Sequence, residues 1–592
     1  MSATSDSSGS FDSSRSRPPA PSLRQAASLV VLRARPSGME VLLLRRAVRA
    51  NDFSSDAYVF PGGVVDAADR HAHTACYGLD DAAASDHLHL PEGGLDYYIA
   101  AIRECFEETG VLFADVVSGS AESHAGSHVA SHAEDRVAEP IGTPIDISRL
   151  TAIRAHREAL HDAATDLTSL CRTFDIRLAP NRLHYLSHWV TPLALPKRFD
   201  TRFFLAVLPD GQQAEVDQVE TAAHRWMRPA YAFAHAEQLR LLPPTRKLLQ
   251  WLERMGDVDT AVAAAQALTD VPRIQPRLAD GKRGRWPVTP DEPAWAELSL
   301  TDPQEQGTGS YDIVPGRVVT LMPGVLRVSA PNPGMMTGPG TNTYLIGGGP
   351  ANAWAVIDPG PDDPSHIDAI LRAAPGGIRQ IFVTHTHRDH SPAARTLAAR
   401  TGATTYGMPA QHEEGQDLTF VPDIVLKDGD AVGLPDGRIL RAIHTPGHAA
   451  NHLCYALDEA KIVFTGDHVM QGSTVVINPP DGHMATYLHS LKKLAALAPE
   501  WLAPGHGFVM DQPAQRIARL IAHRLQREAR VLDALRRHGP ATIETLTPIV
   551  YDDVPAVRHA VARRSLRAHL EKLAEDHLAV LQDEGRWAAA GA

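Results

Sequence analysis

Apolar runs of strand and helix length follow one another along most of this chain. Near its start, two apolar runs flank the turn Pro36-Ser37-Gly38 and predict a pair of strands. Residues 97–109 have helical spacing and end at Gly110, a residue that favours a helix terminus. Later runs predict the strands "TNTYLIGG", "AWAVIDPG", "IRQIFV" and "IVFTG" and the helices "PSHIDAILRAA" and "MATYLHSLKKLAAL". This alternation predicts sheets that are covered by helices.

Polar breaks in this pattern predict the domain boundaries. Residues 1–24 are rich in Ser and Pro and predict a disordered tail rather than a secretory signal. Residues 276–314 are dense in Pro, Gly and charge without sustained periodicity, which predicts a linker. The predicted folded parts are 25–275, with insertions at 70–96 and 115–145, then 315–512, and finally 513–592. Spaced histidines in the second insertion (His124, His128 and His132) are more typical of a solvated loop than of a metal site.

The last predicted part differs from the others because its apolar spacing is mainly helical. Two helical stretches, 514–539 and 557–577, are followed by two short apolar runs around Asp583-Glu584-Gly585. Helices followed by a terminal hairpin predict a small winged-helix-like module.

Composition narrows the class of protein. Hydrophobic residues make up 44% and charged residues 21% of the 592 positions, as in globular proteins, and the net charge of −13 argues against a surface coated for nucleic acid. The cysteines (Cys76, Cys105, Cys171 and Cys454) are far apart, which argues against a disulfide framework and fits a reducing compartment. No run approaches the roughly 20 apolar residues that cross a bilayer. We therefore expect a cytoplasmic protein without a membrane partner.

The stretch "THTHRDH" at 384–390 combines several side chains that bind metals. It follows the apolar run Ile381-Phe382-Val383, so the motif is expected where a strand ends. Histidine nitrogen and carboxylate oxygen are both zinc ligands. His385 and His387 are two positions apart and can converge on one ion. Asp389 and His390 lie further round the turn and can face a second ion.

Three later motifs supply further candidates. They are His448 in "HTPGH", Asp467 in "FTGDH" and His506 in "APGHG". Each lies at or near a glycine turn beside an apolar run, where sheet proteins often place functional side chains. Unconnected surface histidines are the alternative, but four such motifs in order argue against it. His444, His452 and His468, which lie within or near these motifs, are not expected to be ligands.

Together these motifs resemble the metallo-β-lactamase superfamily over about 315 to 512. The resemblance implies an αββα sandwich with two Zn²⁺ ions, or Mn²⁺ or Fe in their place. Residue by residue, it implies that His385, His387 and His448 hold the first ion, that Asp389, His390 and His506 hold the second, and that Asp467 bridges them. It also implies metal-assisted hydrolysis in which Asp389 and Asp467 are catalytic, orienting an activated water and taking up its proton.

This fold does not select a substrate by itself, because the superfamily hydrolyses β-lactams, thioesters and phosphodiesters. The segments "APNPGMMTGPGTNTYLIG" and "GDHVMQGSTVVI" and the winged-helix-like tail resemble the small β-lactamase-like endoribonucleases. The interval between Asp467 and His506 is too short for the cap domain of the larger nucleases.

Arginines in the tail also bear on the substrate. They are Arg516, Arg519, Arg524, Arg527, Arg530, Arg536 and Arg537, with four more between Arg558 and Arg567. Clustered arginines can grip phosphates, although a solvated helix face or a dimer contact explains them equally well. We therefore expect single-stranded RNA as the substrate, with a glyoxalase II-like thioesterase or other small-molecule hydrolase as the alternative.

A second acidic motif lies in the first domain. Glu104, Glu107 and Glu108 of "RECFEETGV" have spacing i, i+3 and i+4, which places three carboxylates along one helix face. A hard cation such as Mg²⁺ or Mn²⁺ relieves their repulsion, and Arg103 can neutralise part of the charge. Without further context, a solvated acidic helix face is the better interpretation.

With the preceding "FPGG", this motif resembles the Nudix box, and the resemblance covers about 25 to 258. It implies an α/β/α sandwich in which Glu104, Glu107 and Glu108 bind Mg²⁺ or Mn²⁺, with Glu104 and Glu107 as the catalytic carboxylates. The box is interrupted by an insertion and has Asp69 where the family has a glutamate, a pattern similar to coenzyme A diphosphatases. Glu220 is a weaker candidate for a further ligand.

The expected protein is therefore a bifunctional hydrolase, for which the resemblance to these families also suggests a homodimer. Its Nudix domain would cleave a nucleoside diphosphate-linked small molecule, and the resemblance to coenzyme A diphosphatases suggests one of the coenzyme A type. The alternative is a Nudix domain that binds nucleotide without cleaving it, which the insertion and Asp69 favour.

Overall fold

The computed structural model describes residues 22–47, 55–116, 142–215, 221–350 and 352–591. The predictions for the tail before residue 22, for most of the 115–145 insertion and for Glu220 fall outside these ranges. The chain divides into two compact units, Met1–Pro276 and Arg277–Ala592. Within the described residues, no helix combines the length and the apolar character needed to cross a membrane.

A mixed sheet forms the centre of the N-terminal unit. Strands of this unit are β1 (Leu23–Arg35), β2 (Gly38–Arg46), β3 (Tyr58–Val59), β4 (Gly62–Val64), β5 (Ala114–Val116), β6 (Thr143–Pro144), β7 (Arg177–Leu178), β8 (His184–Val190), β9 (Arg198–Val207), β10 (Thr221–Met227) and β11 (Arg273–Ile274). The main sheet has the order β10-β2-β1-β9-β8-β11, with β3 and β4 paired to β2 and β1, and β6-β5-β7 form a small separate sheet. The predicted pair of strands around residues 36–38 is present as the antiparallel pair β1 and β2.

Helices cover both faces of this main sheet. They are α1 (Asp81–His87), α2 (Gly94–Thr109), α3 (Ile147–Arg154), α4 (Arg157–His161), α5 (Leu167–Thr173), α6 (Pro229–Ala234), α7 (Pro243–Met255) and α8 (Val258–Gln266). Residues of β1 alternate between the faces: Leu29 and Val31 join the core beneath α2, and Val30 and Leu32 join the core beneath α7. This is the predicted α/β/α sandwich.

The first insertion is folded onto the start of α2. A 3₁₀ helix and α1 occupy much of residues 67–87. His73 Nε2 lies 2.6 Å from an Asp96 carboxylate oxygen, and Gly94 N donates to Ser85 Oγ at 2.9 Å. Helix α2 begins at Gly94, three residues before the start predicted from the sequence.

The C-terminal unit contains two larger sheets. Its strands are β12 (Arg277–Ala279), β13 (Trp286–Val288), β14 (Val318–Met322), β15 (Val325–Ser329), β16 (Asn342–Gly348), β17 (Ala353–Ile357), β18 (Ile378–Phe382), β19 (Thr404–Gly407), β20 (Ile424–Val425), β21 (Ala431–Gly433), β22 (Ile439–His444), β23 (Leu453–Leu457), β24 (Ile462–Gly466), β25 (Trp501–Pro504), β26 (Ala579–Leu581) and β27 (Trp587–Ala589). One sheet runs β14 to β20 in sequence order and the other runs β21 to β25.

Helices of this unit are α9 (Trp295–Thr301), α10 (Pro364–Ala373), α11 (Ala393–Thr401), α12 (Met484–Ala496), α13 (Pro513–His538), α14 (Ile543–Val550) and α15 (His559–Glu575). The inner faces of the two sheets share a core that includes Phe382 and Tyr455. Ile370 of α10 packs on the outer face of one sheet, and Leu491 of α12 packs on the outer face of the other. The arrangement is the predicted αββα sandwich, and its buried strands read as continuous apolar runs because both faces are covered.

The prediction of a linker at 276–314 is wrong. The segment contains the antiparallel pair β12 and β13 and the helix α9. Val288 and Leu298 are buried with Phe508 in one apolar cluster of the C-terminal unit. The segment lacks a periodic pattern because its apolar side chains are few and come from short elements, although they still form a small core.

The winged-helix-like module is present as predicted. Helices α13, α14 and α15 enclose a core with Leu535, Leu546 and Leu566, and β26 pairs with β27 in the terminal hairpin. Ile517 of α13 belongs instead to the core around α12, so this long helix connects the module to the sandwich.

Candidate metal centre and acidic helix

Four strand ends of the sandwich bring the predicted ligands together. The motif 384–390 follows β18, and the other three candidates follow β22, β24 and β25. Strands β22 and β24 are both antiparallel to β23, and β25 is parallel to β24, so these three strands end at the same edge of their sheet. Leu453 N donates to Thr384 O at 2.7 Å and joins the two sheets beside the motif.

One group of ligand atoms comes from three histidines. His385 Nε2 lies 2.9 Å from His387 Nδ1, and His448 Nε2 lies 3.0 Å from the same atom. His385 and His448 are buried, whereas His387 is half-buried. These three nitrogens form one group, and they are the set that the resemblance assigned to the first ion.

A second group combines histidine and carboxylate. His390 Nε2 is 3.5 Å from Asp389 Oδ2, and His506 Nε2 is 3.3 Å from the same oxygen. Asp467 lies between the two groups, because its Oδ1 is 3.4 Å from His390 Nε2 and its Oδ2 is 3.8 Å from His448 Nε2. The seven predicted side chains therefore lie in one cluster, with Asp467 in the bridging position.

Neighbouring groups orient the imidazoles. His448 Nδ1 lies 2.8 Å from the Val476 carbonyl oxygen, and His506 Nδ1 lies 3.2 Å from the Gly340 carbonyl oxygen. A carbonyl oxygen only accepts hydrogen bonds, so each Nδ1 is the donor and each Nε2 is turned into the cluster.

Asp358 is an important residue that the sequence analysis missed. Its carboxylate accepts from Thr384 N and Thr384 Oγ1, each at 2.7 Å, and its Oδ2 lies 2.9 Å from His390 Nδ1. It is 1% exposed and has φ of 51°, a value that is uncommon outside glycine. The signal in the sequence was an aspartate that ends the apolar run "AWAVIDPG", the same context as Asp467.

The electrostatics of the cluster favour positive charge on the Asp389 and Asp467 side. Burial opposes a charge on His506, but the Asp467 and Asp389 carboxylates outweigh it and raise the pKa of His506 to about 9. On the other side, burial and the neighbouring imidazoles lower the pKa of His385 well below its ordinary value. The cluster thus offers neutral nitrogens next to carboxylates that hold cationic partners.

The donor set fits divalent transition metal ions. His390 Nε2, His506 Nε2 and Asp467 Oδ1 are buried without a hydrogen-bond partner, a costly arrangement that a bound cation would relieve. Gly505 leaves room for them, since a Cβ at this position would lie 2.6 Å from Asp467 Oδ1 and 2.7 Å from a His390 ring carbon.

The other histidines of these motifs have different surroundings. His444 Nε2 lies 3.0 Å from the Ala450 carbonyl oxygen, so this nitrogen is used as a donor. His452 and His468 are buried, and their ring centroids are 5.6 Å apart. None of the three belongs to the groups of ligand atoms described above.

In the N-terminal unit, Arg103 organises the acidic helix α2. Its guanidinium donates to Asp69 Oδ1 at 2.8 Å, to Glu104 Oε1 at 2.8 Å and to Glu107 Oε2 at 3.4 Å. Asp69 is 2% exposed, so the aspartate at the family's glutamate position serves as a buried anchor for Arg103. The predicted neutralising role of Arg103 is thus visible in its contacts.

The glycines of "FPGG" lie against the same helix. Gly62 N donates to Glu108 Oε2 at 2.9 Å. A Cβ on Gly63 would lie 2.3 Å from the Glu104 carboxylate, so a larger residue there would displace that side chain. Burial raises the pKa of Glu107 to about 7, although Arg103 acts in the opposite direction. A carboxyl with this pKa suits proton transfer at neutral pH.

The carboxylate oxygens of these glutamates are less closely grouped than the ligand atoms of the C-terminal cluster. Among the described residues, every group of three candidate ligands with atoms within 4.8 Å of one another belongs to the C-terminal cluster. Glu104 and Glu107 share Arg103, whereas Glu108 is turned towards Gly62. A cation that binds here has to compete with Arg103 for the carboxylates.

Most of the tail arginines on α13 have partners within the protein. Arg524 is buried and donates to the Val475 carbonyl oxygen, and Arg527 is buried and pairs with Asp553 at 2.8 Å. Arg516, Arg530 and Arg537 pair with Asp511, Asp552 and Asp533, respectively. Arg519 and Arg536 are exposed. The arginine pattern therefore supports phosphate binding less strongly than the sequence suggested.

Known proteins with similar sequences identify the family of the C-terminal unit. A family model described as the metallo-beta-lactamase superfamily matches residues 336–506. The atrochrysone carboxyl ACP thioesterase nsrC of Aspergillus novofumigatus is 31% identical over 274 residues, which cover 44% of this chain and 81% of that protein. The chain belongs to the metallo-β-lactamase superfamily. A model of the beta-lactamase-associated winged helix domain matches residues 542–587, so the predicted order of sandwich and module is confirmed.

The N-terminal unit of this metallo-β-lactamase superfamily member has a different match. The family model of the NUDT19 Nudix domain matches residues 71–247, which confirms the predicted Nudix domain. Both are families of hydrolases, and the chain is a hydrolase in which these two domains are combined.

Two further matches concern the C-terminal half. A beta-lactamase-like protein 2 homolog of Caenorhabditis elegans is 32% identical over 265 residues, which cover 43% of this chain and 86% of that protein. The crystal structure of a metallo-beta-lactamase family protein from Thermus thermophilus has 22% sequence identity and a TM-score of 0.40, covering 46% of this chain and all of that one.

Proposed function

We propose that the C-terminal unit hydrolyses a carboxylic thioester at a dinuclear metal centre. The observation that carries the proposal is the cluster of seven side chains in two groups joined by Asp467. In this proposal His385, His387 and His448 hold one ion, Asp389, His390 and His506 hold the other, and Zn²⁺, Mn²⁺ or Fe are suitable ions. When bound, such ions lower the pKa of a water and polarise the attacked carbonyl.

The protein's own residues have defined tasks in this reaction. Asp467 bridges the two groups and keeps them at a fixed spacing. Asp389, which is 27% exposed in its side chain, is the more accessible carboxylate and orients the attacking water and accepts its proton. Buried strand ends hold these groups in place, so little reorganisation is needed during the reaction.

Two observations favour a thioester over RNA. Relatives that span most of their own length with this chain carry the name acyl carrier protein thioesterase. Arg524 and Arg527 of α13 are buried, and Arg516 and Arg530 already pair with aspartates, so fewer arginines face solvent unpaired than the sequence suggested. The interpretation preferred from the sequence, cleavage of single-stranded RNA, thereby becomes the second candidate.

The RNA candidate rests on exposed arginines of the winged-helix module. Arg519, Arg536, Arg563 and Arg564 are exposed on α13 and α15. Such side chains could contact a phosphate backbone and make binding depend on salt concentration. RNA therefore belongs in the same substrate panel as the thioester.

For the N-terminal unit we propose hydrolysis of a nucleoside diphosphate-linked compound with Mg²⁺ or Mn²⁺. Glu104, Glu107 and Glu108 would hold the ion, and Glu107 is the proposed base. A coenzyme A thioester contains both a diphosphate and a thioester, so one compound of this class offers a bond to each domain. This common chemistry favours the coenzyme A type within the panel.

Because both domains are in one chain, the activity of each domain is a control for variants of the other. The purified full chain would be assayed for thiol release from an acyl-coenzyme A, for diphosphate cleavage of coenzyme A, ADP-ribose and dinucleotide polyphosphates, and for cleavage of a single-stranded RNA. His387→Ala should abolish thiol release and leave diphosphate cleavage intact, and Glu107→Gln should have the converse effect. RNA cleavage that depends on His387, without any thiol release, would replace the thioester proposal by the RNA candidate.

A further inference from the structure

The candidate ligand His506 lies at the tip of a hairpin. Leu502 N donates to Met510 O and Met510 N donates to Leu502 O, each at 2.9 Å, which closes the loop between them. Asn342 Nδ2 spans the tip: it donates to Pro504 O before His506 at 3.0 Å and to Gly507 O directly after it at 2.8 Å. These contacts come from β16, inside the sandwich itself.

Further along the trailing side, at Phe508 and Val509, the hairpin is held from outside the sandwich. Val509 N donates to Glu297 Oε2 at 3.0 Å, and the Glu297 carboxylate pairs with the Arg327 guanidinium at 2.5 Å. Glu297 lies on α9, in the segment that the sequence assigned to a linker. Glu297 is 4% and Arg327 is 2% exposed, so both charges are buried and each depends on the other.

An apolar contact reinforces the same connection. Phe508 follows the hairpin tip and is 8% exposed, in a cluster with Ala279, Val288 and Leu298 of the same segment. The Arg327 guanidinium lies 5.8 Å from the Phe508 ring centroid. Two consecutive residues after the tip, Phe508 and Val509, are thus fixed by 277–301.

We propose that Glu297 is a positioning residue for His506 and that residues 277–301 are part of the metal centre. The carboxylate holds Val509 N and Arg327 together, which keeps the hairpin tip at the distance where His506 Nε2 meets Asp389 and Asp467. Loss of this contact frees the trailing strand of the hairpin and weakens the second ion's site, while the histidines of the first site keep their supports. The inference rests on the proposed dinuclear centre and goes beyond it in assigning a role to this segment.

The test uses Glu297→Gln in the full chain. Glutamine keeps the size of the side chain and an acceptor for Val509 N, but it leaves the Arg327 charge unbalanced. After dialysis against graded chelator, the metal content per chain gives the affinity of each site. We expect the second ion to bind about 10-fold to 100-fold more weakly, as for other residues that support metal ligands, and the first ion to bind as in the wild type.

A control separates positioning from general destabilisation. Ile370→Ala removes buried volume on the outer face of the sandwich, away from the hairpin, and should lower Tm without changing either metal affinity. If Glu297→Gln does not fold, Phe508→Leu tests the same segment with a smaller disturbance and should weaken the second ion selectively. The absorption spectrum of the Co²⁺-loaded protein gives an independent measure of the His506 environment.

The outcomes distinguish the inference from the proposal beneath it. Selective loss of the second ion in Glu297→Gln, with both ions kept in Ile370→Ala, supports the positioning role. Two ions bound as tightly in Glu297→Gln and Phe508→Leu as in the wild type would overturn it, whatever their Tm. If the wild type itself binds fewer than two ions, the proposed dinuclear centre fails, and the inference fails with it.

Discussion

The two candidate sites of this chain both group metal-binding side chains, but the side chains come from different kinds of structural element and have different neighbours. In the C-terminal cluster the candidate ligands come from four separate strand ends and face one another with partners such as Asp358 behind them. On α2 the carboxylates come from a single helix and are held by Arg103. The C-terminal side chains are held so that their ligand atoms face one another, whereas the negative charge of the α2 carboxylates is partly neutralised by the Arg103 guanidinium.

This difference has consequences for metal binding. In the C-terminal cluster, Asp467 Oδ1 and His506 Nε2 are buried without a hydrogen-bond partner, and a bound metal ion would satisfy both. In the acidic helix a metal ion first has to displace part of the Arg103 contacts. We therefore expect the C-terminal ions to remain bound through purification, and the Nudix ion to exchange readily, as Mg²⁺ sites with few protein ligands do.

The largest expected effect is that of Asp467→Asn. Asparagine removes the bridging charge while it keeps the side-chain size. Thiol release should fall by about 10³-fold or more, because the two groups lose their common ligand. Diphosphate cleavage by the same preparation is the control and should be unchanged. A parallel fall in both activities would mean that the sites are not separate.

Glu107→Gln should have the next largest effect, and on the other site. A general base typically contributes about 10²-fold to 10⁴-fold, so diphosphate cleavage should fall by roughly 10²-fold or more. Glu92→Gln, an exposed carboxylate shortly before α2, is a matched control. Undiminished cleavage in Glu107→Gln would show that the Nudix base lies elsewhere.

Asp358→Asn should have a smaller effect, confined to metal binding. The amide can still accept from Thr384, but it cannot also provide the carboxylate contact to His390. Loss of such a supporting carboxylate usually costs about 10-fold to 100-fold in metal affinity. Asp363→Asn, which keeps a good N-cap on α10, is the nearby control. Equal metal affinities in the two variants would exclude the supporting role of Asp358.

The smallest effect is expected from the double substitution of Arg519 and Arg536 by Ala. These exposed side chains should not influence thiol release by more than about 2-fold, because charges far from a site are screened. If RNA is a substrate, its binding should weaken and the slope of log affinity against log salt should become shallower by about 1 to 2. A fall in thiol release beyond this limit would place the module at the thioester site.

Much of the fold was predictable because buried strands and their turns leave a clear pattern. The runs that became β16, β17 and β24 are mainly apolar, and each ends at glycine or is followed directly by aspartate. Residues 276–314 gave no such pattern. Their burial depends on Phe508 and Arg327, which are distant in sequence, so local periodicity could not reveal it.

The candidate ligands were predictable because each lies in a short motif with its own chemistry. Asp358 was missed because it supports a ligand instead of being one, and such partners have no fixed spacing from the motif. The arginines of α13 were misleading for a similar reason. A sequence shows that Arg527 is basic, but only the structure shows that it is buried against Asp553.

Metal content of the purified full chain tests the central claim most directly. The wild type should retain about two transition-metal ions per chain after dialysis, and Glu107→Gln should retain the same two ions. Asp467→Asn should retain fewer. A wild type that keeps fewer than two ions, or ions that are lost in Glu107→Gln and kept in Asp467→Asn, would contradict a preorganised dinuclear centre in the C-terminal unit.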